Sequence, residues 1–249
     1  MIKRMSHKVI LCLTALCILP MSFFLSSEAW GEDSDQRLTN RQKSIVELSA
    51  LTAIGETDKL KQALNAALDA GMTVNEVEEV LVHVYAYAGF PRSFNGMMAF
   101  MAVMDEREAK GIKDKMGKEA SPIPADLNRD EYGAKVRAQL GGQEDVPPPA
   151  KWQQFSPVID KFLKEHLFAD LFARDILSFQ DRELATVAVL ASLSGLEGPL
   201  SFHLGAAMNT GLSKEQLQDF IKVLEQKVAR DKAANADQVL QKVLAQRSS

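Results

Sequence analysis

Two stretches of the chain read as one pattern: "LKQALNAALDAGMTVNEVEEVL", residues 60–81, and "LSFHLGAAMNTGLSKEQLQDFI", residues 200–221. They align without a gap at an offset of 140 residues. Each opens on an apolar pattern at helical spacing. Each breaks at a glycine, Gly71 or Gly211, where a helix end calls for a left-handed residue. Each restarts on a capping box, Thr73-x-x-Glu76 or Ser213-x-x-Gln216, whose two side chains satisfy free backbone N–H groups at the new helix start. Upstream, "SALTAIG" resembles "AVLASLSG", and the same offset sets Lys43 opposite Glu183 and Ala63 opposite His203. No window shows sustained period-2 alternation, so the repeat predicts an all-α protein. Two units of at least three helices each would pack about a pseudo-two-fold axis.

Working outward, residues 37–110 form the first repeat and residues 151–245 the second. The stretch between them, residues 111–150, holds most of the prolines, a Gly-Gly pair and many charges. It reads as a linker with one helix, Arg129 to Leu140. The N-terminus has another character. Lys3, Arg4 and Lys8 precede an uncharged apolar run from Val9 to Leu25, and small residues follow at Ser27, Ala29 and Gly31. This is the layout of a secretory signal peptide over residues 1–29, with cleavage after Ala29 or Gly31, and it predicts an exported, periplasmic protein. The alternative is an uncleaved anchor, for which the apolar run is short. Stable membrane insertion is not expected after cleavage.

The formal charge of −4 over 249 residues gives no reason to expect nucleic acid. Both cysteines, Cys12 and Cys17, fall inside the signal. The mature chain would therefore lack disulfides, a thiolate nucleophile and cysteine-ligated metal. No HExxH, glycine-rich phosphate loop or Gly-x-Ser-x-Gly occurs. A metal held by His83, His166 and His203 is not favoured by their spacing, so no metal and no cofactor is expected.

The candidate site residues follow from helical faces. Val74, Val77, Leu81, Val84 and Ala88 share one stripe, which is core. Glu76, Val80, His83 and Tyr87 share a second, polar stripe, suited to a cleft lining or a subunit contact; a packed interface histidine is the plain alternative. Gly89 ends that helix and Pro91 can begin the next, so the free N–H groups at Arg92 and Ser93, with the guanidinium, suit a carboxylate. In the second repeat His203 lies among small residues, Ala206, Ala207 and Thr210, which leaves room for another group to approach. Glu183, in "DREL", is its natural partner, since a carboxylate orients an imidazole for proton transfer. Their contact would require tertiary arrangement.

"GMTVNEVEEVLVHVYAYAGFPRSFNGMMAFMAV" and "FLKEHLFADLFARDILSFQDRELATVAVLASLSGLEGPLSFHLGAAMNTGLS" resemble the two halves of the carboxymuconolactone decarboxylase family pattern, within the alkylhydroperoxidase-like superfamily. The resemblance implies the all-α alkylhydroperoxidase-like fold, present twice as a pseudo-dimer. Alkylhydroperoxidases of that superfamily use a glutamate, a Cys-x-x-Cys pair and a histidine. Counted back from His203, the cysteine positions hold Leu196 and Pro199, so a peroxiredoxin-like activity is disfavoured. What the resemblance implies instead is a cofactor-free lyase acting on a small organic acid or lactone. His203 would be the general acid/base and Glu183 its orienting group. His83 or Tyr87 would line the cleft, and Arg92 or Arg174 would pair with a substrate carboxylate. A non-catalytic exported small-molecule binding or assembly protein is the alternative. Single-repeat relatives assemble as hexamers, so a homo-oligomer, a trimer of two-repeat chains, is expected.

Overall fold

The computed structural model describes residues 37–247, and the expected signal peptide lies outside the described residues. Helix α1 (Asn40–Ile54) is started by Thr39, whose hydroxyl accepts the Gln42 N–H while the Gln42 side chain accepts the Thr39 N–H. Then follow α2 (Thr57–Asp69), α3 (Val74–Ala88) and α4 (Phe90–Ala109). The middle of the chain supplies α5 (Arg129–Leu140) and two short helices, α6 (Lys151–Phe155) and α7 (Pro157–Lys161). A π-helical run, Phe162–Leu171, continues from α7. The second unit is α8 (Phe179–Ser192), α9 (Glu197–Asn209), α10 (Lys214–Lys227) and α11 (Arg230–Arg247). No strand occurs among the described residues.

The capping boxes at Thr73/Glu76 and Ser213/Gln216 are both formed. Gly71 and Gly211 both take the left-handed region, with φ of 94° and 104°, as the sequence repeat requires. The offset of 140 holds from α2 to α4 against α9 to α11. It does not hold for the first pair. Thr39 and Ser178 cap α1 and α8 in the same way and are 139 residues apart. The turn after α8 therefore carries one extra residue. This corrects the register within that pair: Ser44, not Lys43, is the counterpart of Glu183, and Lys43 is the counterpart of Arg182.

With that register, contacts between the units pair up. Arg41 Nη1 meets Asp181 Oδ1 at 2.8 Å, and the symmetry-equivalent contact is Gln42 Nε2 to Gln180 Oε1 at 3.4 Å. Arg182 Nη2 meets Glu79 Oε1 at 2.6 Å, and its equivalent is Lys43 Nζ to Asp219 Oδ2 at 3.3 Å. These matched pairs are direct evidence for a pseudo-two-fold axis between the repeats.

Helices α1 and α8 lie against each other at that axis. Every residue of α8 from Asp181 to Ser192 is buried. Helix α1 is shared between two cores: Val46 and Ala50 face the second repeat, and Ile45, Leu48 and Leu51 face the first. A helix buried all round has no solvent face to set against an apolar one, which is why neither α1 nor α8 reads as cleanly amphipathic. The charged residues buried in α8, Asp181, Arg182 and Glu183, each have a partner of opposite charge or a ring N–H. Burying each leucine here contributes about 1.5–3 kcal/mol before entropy is counted.

The middle segment is a packed layer. Val136 and Leu140 of α5 join Leu167, Phe168, Leu171 and Phe172 in a separate core cluster, which also takes in Ala206 of α9. Close approach of α5 to the π-helical run depends on Gly133, because a Cβ there would lie 1.9 Å from the Lys164 carbonyl oxygen. Residues 129–140 are thus anchored against both the π-helical run and α9.

Candidate active site

His203 stands on α9 and Glu183 on α8, and the short turn between these helices folds them side by side. The Nδ1–H of His203 donates to Glu183 Oε2 at 2.8 Å. Glu183 is fully buried and His203 is 7% exposed, so the pair is shielded from bulk water. With Nδ1 committed to the carboxylate, Nε2 is the ring nitrogen left for chemistry, and it has no protein partner among the described residues. The second oxygen of Glu183, Oε1, is buried with no hydrogen-bond partner.

Tyr87 comes from the other repeat. Its ring stands edge-on to His203, with 5.4 Å between centroids. Its hydroxyl is buried near that of Thr186, with no partner at full hydrogen-bond geometry. Burial, reinforced by the nearby charge of Glu183, raises its pKa far above the usual phenol value, so it stays protonated and can only be a donor to an anion.

Both rings border a cavity of about 1080 Å³. Its walls are largely apolar: Leu163, Leu167 and Phe168 from the π-helical run, Pro199 and Phe202 from α9, and Trp152 from α6. The middle segment closes it with Arg137, Gly141, Gln143 and Pro147. The site is therefore composite, with a hydrogen-bonded His–Glu pair from one repeat, a phenol from the other, and a wall from the segment that joins them.

His83 has a different place from the one its stripe suggested. It is fully buried and does not border the cavity. Thr186 Oγ1 donates to the Arg182 carbonyl at 2.8 Å, so it must accept from His83 Nε2–H at 2.9 Å. That leaves His83 Nδ1 to accept from Arg182 Nη1 at 3.3 Å. Desolvation, then the charges of Arg182 and His203, hold the His83 pKa well below its ordinary value. It is a neutral imidazole locked in one tautomer and supports the site from behind: its ring lies 5.5 Å from that of Tyr87.

The expected arginines also stand elsewhere. Arg174 is bound in a bidentate pair to Glu79, with Nε and Nη2 each within 3.0 Å of the carboxylate. Glu79 also accepts from Arg182, and this buried cluster, not a substrate, takes the charge of Arg174. Arg92 is exposed at the start of α4, its guanidinium lying over Gly55 at the end of α1. Neither arginine borders the cavity. Glu76, placed on the polar stripe with His83, caps α3 and pairs with Arg41 at 2.8 Å.

Three residues escaped the sequence reading. Arg182 sits inside the quoted "DREL" and is the largest fully buried side chain among the described residues. Arg137 and Trp152 border the cavity from the segment read as linker and from the start of the second repeat. The tryptophan after the proline run, "VPPPAKW", was the available signal, since a large aromatic gains much from even partial burial. Among the described residues no group of three or more His, Cys, Asp or Glu is placed to hold a metal ion.

The positions expected for redox cysteines hold Leu196 and Pro199, and Pro199 is part of the cavity wall beside His203. Residues 24–102 and 157–242 each match the Carboxymuconolactone decarboxylase family. A 4-carboxymuconolactone decarboxylase from Acinetobacter baylyi (strain ATCC 33305 / BD413 / ADP1) is 38% identical over 71 residues, which cover 28% of this chain and 53% of that protein. The alignment thus spans about half the length of that relative. With the family matched once in each repeat, and both repeats built as the same four-helix unit, the chain belongs to the carboxymuconolactone decarboxylase family.

Proposed function

We propose that the protein is a decarboxylase-like lyase that acts on an organic acid or lactone by proton transfer through His203. The single observation that carries this reading is the Nδ1–Oε2 contact of 2.8 Å between His203 and Glu183, beside a largely apolar cavity. Loss of carbon dioxide leaves the bonding electron pair on the former α-carbon, from which it delocalises onto a neighbouring carbonyl oxygen. Two things lower the barrier: a donor to that oxygen and a proton for that carbon. The Tyr87 hydroxyl, protonated and with no partner at full hydrogen-bond geometry, suits the first role. His203 suits the second: Nε2–H gives its proton to carbon while Glu183 stabilises the ring in its charged form, and water later restores the proton. The apolar walls keep bulk water from competing for the carbanion.

The name of the relative supports the reaction class, and the two-repeat architecture leaves room for another substrate. A disulfide peroxidase has no support, since the described residues contain no cysteine. The test is carbon dioxide release from a panel of oxo acids and unsaturated lactone acids, with wild type beside His203→Ala and Glu183→Gln. Turnover that falls by about 10²-fold or more in His203→Ala is expected. Turnover that survives that substitution, or ligands that bind and are never converted by wild type, would overturn the proposal. In the latter case a non-catalytic small-molecule binding protein is the better-supported reading.

A further inference from the structure

The cavity beside His203 is large and carries an uneven set of charges. Its volume of about 1080 Å³ is at the upper end of what drug-sized ligands occupy. Among the described residues no aspartate or glutamate borders it, and Arg137 is the one permanently charged side chain that does. The guanidinium of Arg137 lies 5.8 Å from the centre of the Trp152 ring. Its Nη1 donates to Asp160 Oδ1 at 2.7 Å, while Nε and Nη2 have no protein partner among the described residues. Asp160 is shared: Gln153 Nε2 reaches the same oxygen at 2.8 Å and Lys164 Nζ the other at 3.2 Å. Arg137 is therefore positioned by its neighbours with donors to spare.

We propose that this cavity selects a singly charged carboxylate with a bulky apolar body, anchored by Arg137, over small polyanionic acids. The inference rests on the reading that the cavity at His203 is the substrate site, and it names the class of substrate. The physical argument is a count of partners. One carboxylate finds a charge-assisted donor at Arg137. A second carboxylate on the same ligand would either occupy the His203 and Tyr87 donors that the reaction needs or face Leu163, Phe168, Pro199 or Phe202, and a buried anion without a partner is strongly disfavoured. An apolar body, by contrast, removes those walls from water. The selecting side chain lies on α5, outside both repeats, so specificity is set by the segment that joins them.

Isothermal titration of the full chain separates the possibilities, with four probes. 1-Naphthoate is the apolar monoanion, 1-naphthamide its neutral counterpart, naphthalene-1,4-dicarboxylate the dianion on the same body, and cis,cis-muconate the small dianion. Naphthoate should bind about tenfold or more tighter than naphthamide, with both dianions weaker still. Arg137→Gln should bring naphthoate down to the naphthamide level and leave naphthamide unchanged. Gln143→Glu, at the exposed rim of the same cavity, should weaken naphthoate and spare naphthamide, and it provides the test should Arg137→Gln misfold. Dianions that bind as tightly as naphthoate, naphthoate that fails to bind, or variants that weaken naphthoate and naphthamide alike would each overturn the proposal. Failure of the lyase reading looks different: naphthoate keeps its preference in wild type and in His203→Gln, yet no acid is decarboxylated. Turnover of a small polyanion without naphthoate binding would sustain the lyase reading and sink this one.

Discussion

The ring of Tyr87, from the first repeat, stands edge-on to that of His203, from the second, with 5.4 Å between their centroids. Neither repeat alone holds both residues. Tyr87→Phe keeps the ring and removes only the hydroxyl. If that hydroxyl donates to a developing oxyanion, kcat should fall by about 10²-fold with little change in KM. Stability should fall little, because the polar group near it, the Thr186 hydroxyl, is already committed to the Arg182 carbonyl and to His83. Steady-state kinetics with a thermal melt checks both halves, and an unchanged kcat would reduce Tyr87 to a piece of wall.

His83 predicts a pH dependence of stability. Its folded pKa lies well below the ordinary 6.5, so the unfolded chain binds the extra proton first as pH falls. The stability that His83 contributes is fully present above about pH 6.5 and is lost as pH drops from there toward the folded value. Glu79, held below its ordinary 4.5 because its bonds to Arg174 and Arg182 outweigh desolvation, adds its own loss only at lower pH. Urea midpoints measured from pH 7.5 to 5 should decline in wild type and be flatter in His83→Gln.

The matched ion pairs predict unequal costs at equivalent positions. Glu79 and Arg182 are almost wholly buried, so Glu79→Gln leaves a buried guanidinium without its anion and should cost about 3–5 kcal/mol. At the symmetry-related pair Lys43 is 37% exposed, and Asp219→Asn should cost about 1 kcal/mol or less. Denaturant unfolding of the two variants tests the difference; equal losses would mean that burial is not what separates them.

The expected homo-oligomer can be tested on α4. Phe90, Phe94, Met98 and Met101 lie exposed along one side of α4. We propose this apolar stripe as the contact surface between chains. Sedimentation should find a species larger than one chain, and Phe94→Asp should dissociate it. A monomeric wild type would end the expectation.

Much of this was legible in the sequence, and for local reasons. Capping boxes and left-handed glycines are short-range devices, so Thr73, Ser213, Gly71 and Gly211 announced the helix boundaries that the structure shows. The pairing of Glu183 with His203 was readable as chemistry, while its geometry was not, because a turn between two helices must fold back for the side chains to meet. The roles of His83, Arg92 and Arg174 were misplaced for the same reason. Helical spacing says which residues share a face; what that face meets depends on Arg182 and Glu79, 103 residues apart. The cavity wall was the least legible part, since Arg137 and Trp152 lie in stretches with no apolar period.

The pseudo-two-fold axis implies a second position where a site would be, lined by the counterparts Ser44, Ala63 and Lys227. A serine, an alanine and a lysine there offer no glutamate, no imidazole and no phenol. In a true homodimer one gene position specifies both sites, so neither can be given up while the other is kept. Joining the repeats in one chain removes that coupling. Each half is free to drift where the other supplies the function, and the molecule should bind one ligand per chain, a stoichiometry of one where its symmetry alone would suggest two.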